Sequence, residues 1–64
     1  MSGSRELLAL LDCGVIRARV NHPGYSMLCK LGLATGMIRR IGEVWRFDYR
    51  LTERGRIAAK LVKR

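Results

Sequence analysis

From Trp45 to Leu51 apolar and charged residues alternate, and with Met37 to Arg40 they flank Ile41-Gly42-Glu43-Val44; few folds are open to a chain with such a stretch. Period-two alternation is the pattern of a strand with one face buried. Glycine as the first of two central residues is what a type II′ turn requires. The stretch therefore predicts a β-hairpin over 37–51 that turns at Gly42-Glu43. That register sets Arg40 opposite Trp45, Arg39 opposite Arg46 and Ile38 opposite Phe47. One face then carries Ile38, Trp45, Phe47, Tyr49 and Leu51 and is expected to meet the core. The other carries Arg39, Arg46, Asp48 and Arg50 and is expected to meet solvent.

A lone hairpin is marginal in water, so the rest of the chain must cover it. Ser4 reads as an N-cap for a helix over 4–13, with Leu7, Leu8 and Leu11 at helical spacing, Leu10 beside them, and Gly14 as its C-cap. Residues 15–20 alternate, Ile16, Ala18 and Val20 on one side and Arg17 and Arg19 on the other. They read as a short strand, with a one-and-a-half-turn helix as the competing reading. Asn21 or His22 then caps, and Pro23 suits the first position of a helix over 24–35 that carries Tyr25, Leu28, Cys29, Leu31 and Ala34. Gly32 is expected to weaken that helix from within and Gly36 to cap it. Thr52 caps a last helix over 53–63, which is expected to bury Ile57, Ala58, Leu61 and Val62. Its remaining surface, Arg54, Arg56, Lys60, Lys63 and Arg64, is basic. Together these elements predict a single α+β domain over 1–64, small and winged-helix-like, with helices packed on a β-hairpin wing.

The 64 residues allow one modest core, burying about 60% of the unfolded surface, and a homodimer is one remedy for so thin a margin. The charge narrows the partner. Thirteen Lys and Arg against five Asp and Glu give +8, and ten of the thirteen are Arg, whose planar fork suits phosphate oxygens and guanine edges. Nucleic acid is the favoured partner over a merely soluble basic surface. The apolar runs fall well short of the roughly 18–20 residues of a membrane span, and the opening residues have no signal-peptide pattern, so a cytoplasmic protein is expected. Cys13 and Cys29 read as reduced thiols. With His22 they lack the paired spacing and fourth ligand of a zinc site, so no metal and no cofactor is expected. The acids Glu6, Asp12, Glu43, Asp48 and Glu53 form no paired motif, and no phosphate-cradling glycine loop is present. The chain reads as a non-enzyme.

Gly36-Met37-Ile38-Arg39-Arg40, followed after a turn by Tyr49-Arg50-Leu51-Thr52-Glu53-Arg54-Gly55-Arg56, resembles the wing of prokaryotic and phage winged helix-turn-helix regulators. The resemblance covers about Leu28 to Gly55. It implies DNA binding, with the middle helix in the major groove and the wing against the backbone. The N-terminal half departs from the family pattern, being about 10 residues shorter than the usual three helices before the wing.

The Arg39–Arg46 pair is the most informative local feature, because like charges directly opposite cost roughly 0.2–1 kcal/mol unless phosphates supply counter-ions. The blander reading gives that task to Asp48, diagonally placed. Trp45 beside Arg40 reads first as core and second as a cation–π pair or a platform for a base. The leading expectation is a transcriptional regulator that occupies double-stranded DNA, with RNA as an alternative ligand. Arg39, Arg46, Arg50, Arg54 and Arg56 would hold phosphates, joined by Arg17 and Arg19. Tyr25, Ser26 and Lys30 would supply base contacts. The rival expectation is an inhibitor or adapter of the phage or mobile-element kind that binds an acidic surface of a host protein or nuclease complex.

Overall fold

In the computed structural model, which describes residues 4–63, the elements run α1 (Ser4–Cys13), β1 (Val15–Arg19), α2 (Pro23–Lys30), β2 (Ala34–Ile41), β3 (Val44–Leu51) and α3 (Glu53–Lys63). The strands form one antiparallel sheet in the order β1-β3-β2. The α+β class is as expected, and residues 15–19 are strand. The hairpin register is also as expected, with Arg39 against Arg46, Arg40 against Trp45 and Ile38 against Phe47. Gly42 turns the hairpin at φ 63°, a conformation that costs glycine little. Every two successive helices are separated by at least one strand, so no helix-turn-helix pair occurs among the described residues.

Alternation sends Ile16, Ala18, Phe47, Tyr49, Leu51 and Ala34 to one side of the sheet, where all three helices pack. The centre of that core is Tyr49, fully buried with Leu7, Leu10 and Ala59 around it. Its ring stacks on Tyr25 at 5.0 Å and meets Phe47 edge-on at 5.5 Å, and its hydroxyl donates to the Arg19 carbonyl at 3.2 Å. That hydrogen bond lets a polar atom sit in the core without the penalty of an unmet partner.

Several expectations fail, each for a local reason. The middle helix ends at Lys30, not near Thr35. Gly32 is not an interior residue but the left-handed cap (φ 77°), with its N–H on Cys29 O at 3.1 Å and the Leu33 N–H on Leu28 O at 2.9 Å. This pair of bonds is a Schellman closure. Gly36, expected as the cap, lies inside β2, where a Cβ would come within 2.9 Å of the Phe47 ring.

On α3 the buried residues are Gly55 and Ala59, while Ile57 and Leu61 are exposed. Gly55 explains the rotation. A side chain there would overlap the Leu33 carbonyl, so the helix rests its smallest face against the α2–β2 turn. Thr52 fixes that contact three times: its N–H donates to Leu33 O (3.0 Å), its hydroxyl donates to Gly32 O (2.8 Å), and the same oxygen accepts from the Gly55 N–H (3.1 Å). Ile38 and Trp45 share the core side of the sheet but lie beyond the helices, both more than half exposed. Arg64 of the expected basic surface lies outside the described residues.

Candidate nucleic-acid interface

Among the described residues no helix covers the other side of the sheet. The same alternation that buries Tyr49 turns Arg17 and Arg19 of β1, Arg46, Asp48 and Arg50 of β3, and Arg39 of β2 outward together. Register then arranges them in rows. Arg19, Arg46 and Arg39 face one another across all three strands. In the next row Arg17 lies directly opposite Asp48. Arg50 follows, between Val15 and Thr35.

Among the described residues Asp48 is the single acid on this face, and it is bridged from both sides. Arg17 Nε donates to Oδ1 at 3.1 Å, and Arg39 Nε lies 3.3 Å from Oδ2. The diagonal neutralisation weighed against the phosphate reading is therefore present for Arg39. Asp48 is largely shielded (side chain 14% exposed), whereas both arginines are about half exposed, so each pair is worth roughly 0–1 kcal/mol. Arg19 and Arg50 have no acidic partner among the described residues. Arg46 sends one guanidinium N–H to the neighbouring Trp45 carbonyl (2.9 Å), which holds the side chain along the sheet and leaves its charge uncompensated.

The other expected site residues do not join this face. Tyr25 was expected to present to bases, but it is a core residue, only 8% exposed, stacked on Tyr49 with the His22 ring tilted against its other side. Burial raises its hydroxyl pKa above the ordinary value, with Glu6 and then Cys13 adding to the shift. His22 caps α2, its Nδ1 accepting from the Tyr25 N–H at 3.4 Å. Ser26 is half-buried and Lys30 exposed on α2, and Arg54 and Arg56 are exposed on the first turns of α3. These four belong to the helix layer, across the sheet from the arginine rows. The expected joint grip by the wing and the start of the last helix is thus split between two sides of the molecule.

Two surface features were not read from sequence as surface. Arg54 rims an open apolar hollow of about 320 Å³ with Leu33, Ile57, Ala58 and Leu61. At the hairpin tip, Arg40 lies over the exposed Trp45 ring, 5.7 Å from its centroid, and its Nε donates to Gly42 O at 2.9 Å. The Arg40–Trp45 pairing was the second reading of that register, and the structure takes it in place of a buried tryptophan. Cys13 is exposed and Cys29 half-buried, where burial pushes its thiol pKa up. Among the described residues no helix is long and apolar enough to cross a membrane.

No family model matches the chain, and neither a curated protein nor a solved structure resembles it significantly.

Proposed function

We propose that this chain is a small double-stranded-DNA-binding protein that regulates transcription by occupying an operator, and that the uncovered sheet face is the surface that meets the duplex. One observation carries the reading: Arg17, Arg19, Arg39, Arg46 and Arg50 share a face that, among the described residues, no element covers and that holds one acid. A row of three arginines repels itself in the free protein, and phosphates relieve that repulsion on binding. The planar guanidinium fork suits phosphate oxygens, so the Arg19–Arg46–Arg39 row can lie along the backbone of the duplex. Arg19, Arg46 and Arg50 meet phosphates directly, while Arg17 and Arg39 exchange Asp48 for them. The protein acts by binding rather than by catalysis, in a cytoplasmic setting and without a cofactor.

The test is the salt dependence of binding to a labelled duplex, read by fluorescence anisotropy. Each phosphate contact contributes a slope of about −0.9 to log Kobs against log salt. Arg46→Gln combined with Arg50→Gln should flatten the slope by about 2, whereas Arg54→Gln combined with Arg56→Gln should leave it nearly unchanged. An unchanged slope in the first variant, or a flattened one only in the second, refutes the sheet face as the DNA surface. No binding above background near physiological salt refutes the operator reading as a whole and favours an acidic protein partner.

A further inference from the structure

β2 is an edge of the sheet, so one whole side of its backbone has no partner strand. Such an edge is a template for pairing with another strand. Proteins commonly blunt it by shortening it, bending it with a bulge, or placing proline or charged residues in it. β2 uses only the last device, and only at Arg39 and Arg40 near the hairpin end. It has eight residues, pairs with β3 in unbroken register, and contains no proline, and Ala34 to Ile38 carry no charge. Seven of the eight residues are exposed, including Met37 at 70%, Ile38 at 57% and Ile41 at 43%. The opposite edge, β1, has only five residues.

We infer that this edge is covered by a second copy of the chain, β2 pairing antiparallel with β2 about a two-fold axis perpendicular to the sheet. A two-fold axis makes two identical strands antiparallel without any adjustment, and it makes the contact self-complementary and closed. The hairpin decides which backbone groups are free. Its two-residue turn makes Ile41 and Val44 a hydrogen-bonded pair. By the alternation of antiparallel ladders, Thr35, Met37 and Arg39 then bond β3, while Gly36, Ile38 and Arg40 turn their N–H and C=O outward. Charge narrows the register. Centring the pair on Ile38 sets Arg40 against Gly36 of the second copy and Arg39 against its Met37, so no two arginines oppose each other. Centring it on Arg39 or Arg40 would place like charges face to face.

An axis perpendicular to the sheet keeps both arginine faces on one side. The product is a six-stranded sheet that doubles the array, with its two β3 strands about 14 Å apart at the usual spacing of about 4.8 Å per strand. The interface needs no nucleic acid, so it is tested without any, and its failure would leave the DNA reading standing.

Sedimentation equilibrium from micromolar to millimolar protein should show the mass rising from one chain to two. Over the same range, hydrogen exchange should slow at the Gly36, Ile38 and Arg40 amides, while the Met37 and Arg39 amides are protected throughout. Ile38→Pro removes an outward N–H that β3 does not use, a position where an edge strand tolerates proline, and should be monomeric at all concentrations. Ile38→Lys keeps the backbone intact and should weaken association at least tenfold, should the proline variant fail to fold. A wild-type protein that stays monomeric at millimolar concentration, with exchange at those three amides independent of concentration, overturns the inference. So does a dimer that persists in both variants, since another surface would then hold it together.

Discussion

Gly55 occupies a helix position where alanine would ordinarily be the more stable residue by about 1 kcal/mol. Here the usual sign should reverse. A Cβ at position 55 would overlap the Leu33 carbonyl, which already accepts the Thr52 N–H, and backbone on both sides leaves nothing flexible to yield. Gly55→Ala is expected to destabilise the domain by about 1–3 kcal/mol, the range for forced overpacking, measured as a fall in the urea midpoint. A midpoint at or above that of the parent would show that α3 does not sit tightly on the turn. Gly55 also shows what periodicity misses. The i, i+1, i+4, i+5 pattern of Ile57, Ala58, Leu61 and Val62 marks an apolar stripe, but the core took the adjacent Gly55–Ala59 stripe. Hydrophobic spacing reports which residues are oily, whereas close approach to a backbone selects those that are small.

The hairpin was legible in its register and in its two faces, because a period of two leaves no freedom in either once the turn is placed. How much of it the helices would cover was not legible. Eight strand residues extend about 27 Å, while the eight residues of α2 extend only about 12 Å. Alternation gives the side of the sheet and says nothing about depth along it, so Trp45 and Tyr49 look equivalent in sequence and are opposite in fact. Tyr49→Ala is expected to cost about 3–5 kcal/mol, enough to unfold most of so small a domain. Trp45→Ala removes a surface ring and one Arg40 contact and should cost less than about 1 kcal/mol. Urea melts followed by circular dichroism separate the two, and a larger loss for Trp45→Ala would mean that the tip is not exposed. The end of α2 was misread for a related reason. Leu31 and Ala34 continue the helical spacing past Gly32, and nothing in hydrophobicity signals a left-handed turn. The arginine face, by contrast, was largely present in the sequence: Arg17, Arg19, Arg39, Arg46 and Arg50 each fell on an outward position. Only their convergence on one side needed the sheet order.

Considered as one body, the domain is elongated, about 40 × 18 × 16 Å, and its stability should depend on pH through the aromatic core. The Tyr25 pKa is raised above its reference value of 10.0, foremost by burial. The folded state therefore holds that proton more tightly than the unfolded chain does. The resulting stability is complete below the unfolded value of about 10 and is lost as pH rises through the folded value. Thermal melts should thus show stability declining above about pH 10, and Tyr25→Phe should make that decline shallower while changing little near neutrality. Parallel curves for the two proteins would remove Tyr25 as the cause.

The pairing of the first helix with the last has a consequence for how the molecule is made. α1 packs on α3, and their ends are joined by an ion pair between Asp12 and Lys63 at 3.7 Å. A ribosome delivers α1 first and α3 only after the whole sheet has been synthesised. Until then Leu7 and Leu10 lack Ala59, the last residue of their core, and the Thr52 hydroxyl has no Gly55 N–H to accept from. Until α3 docks, one flank of that core stays open. The core is complete only once α3 has docked, so a chain without it exposes apolar surface to its neighbours.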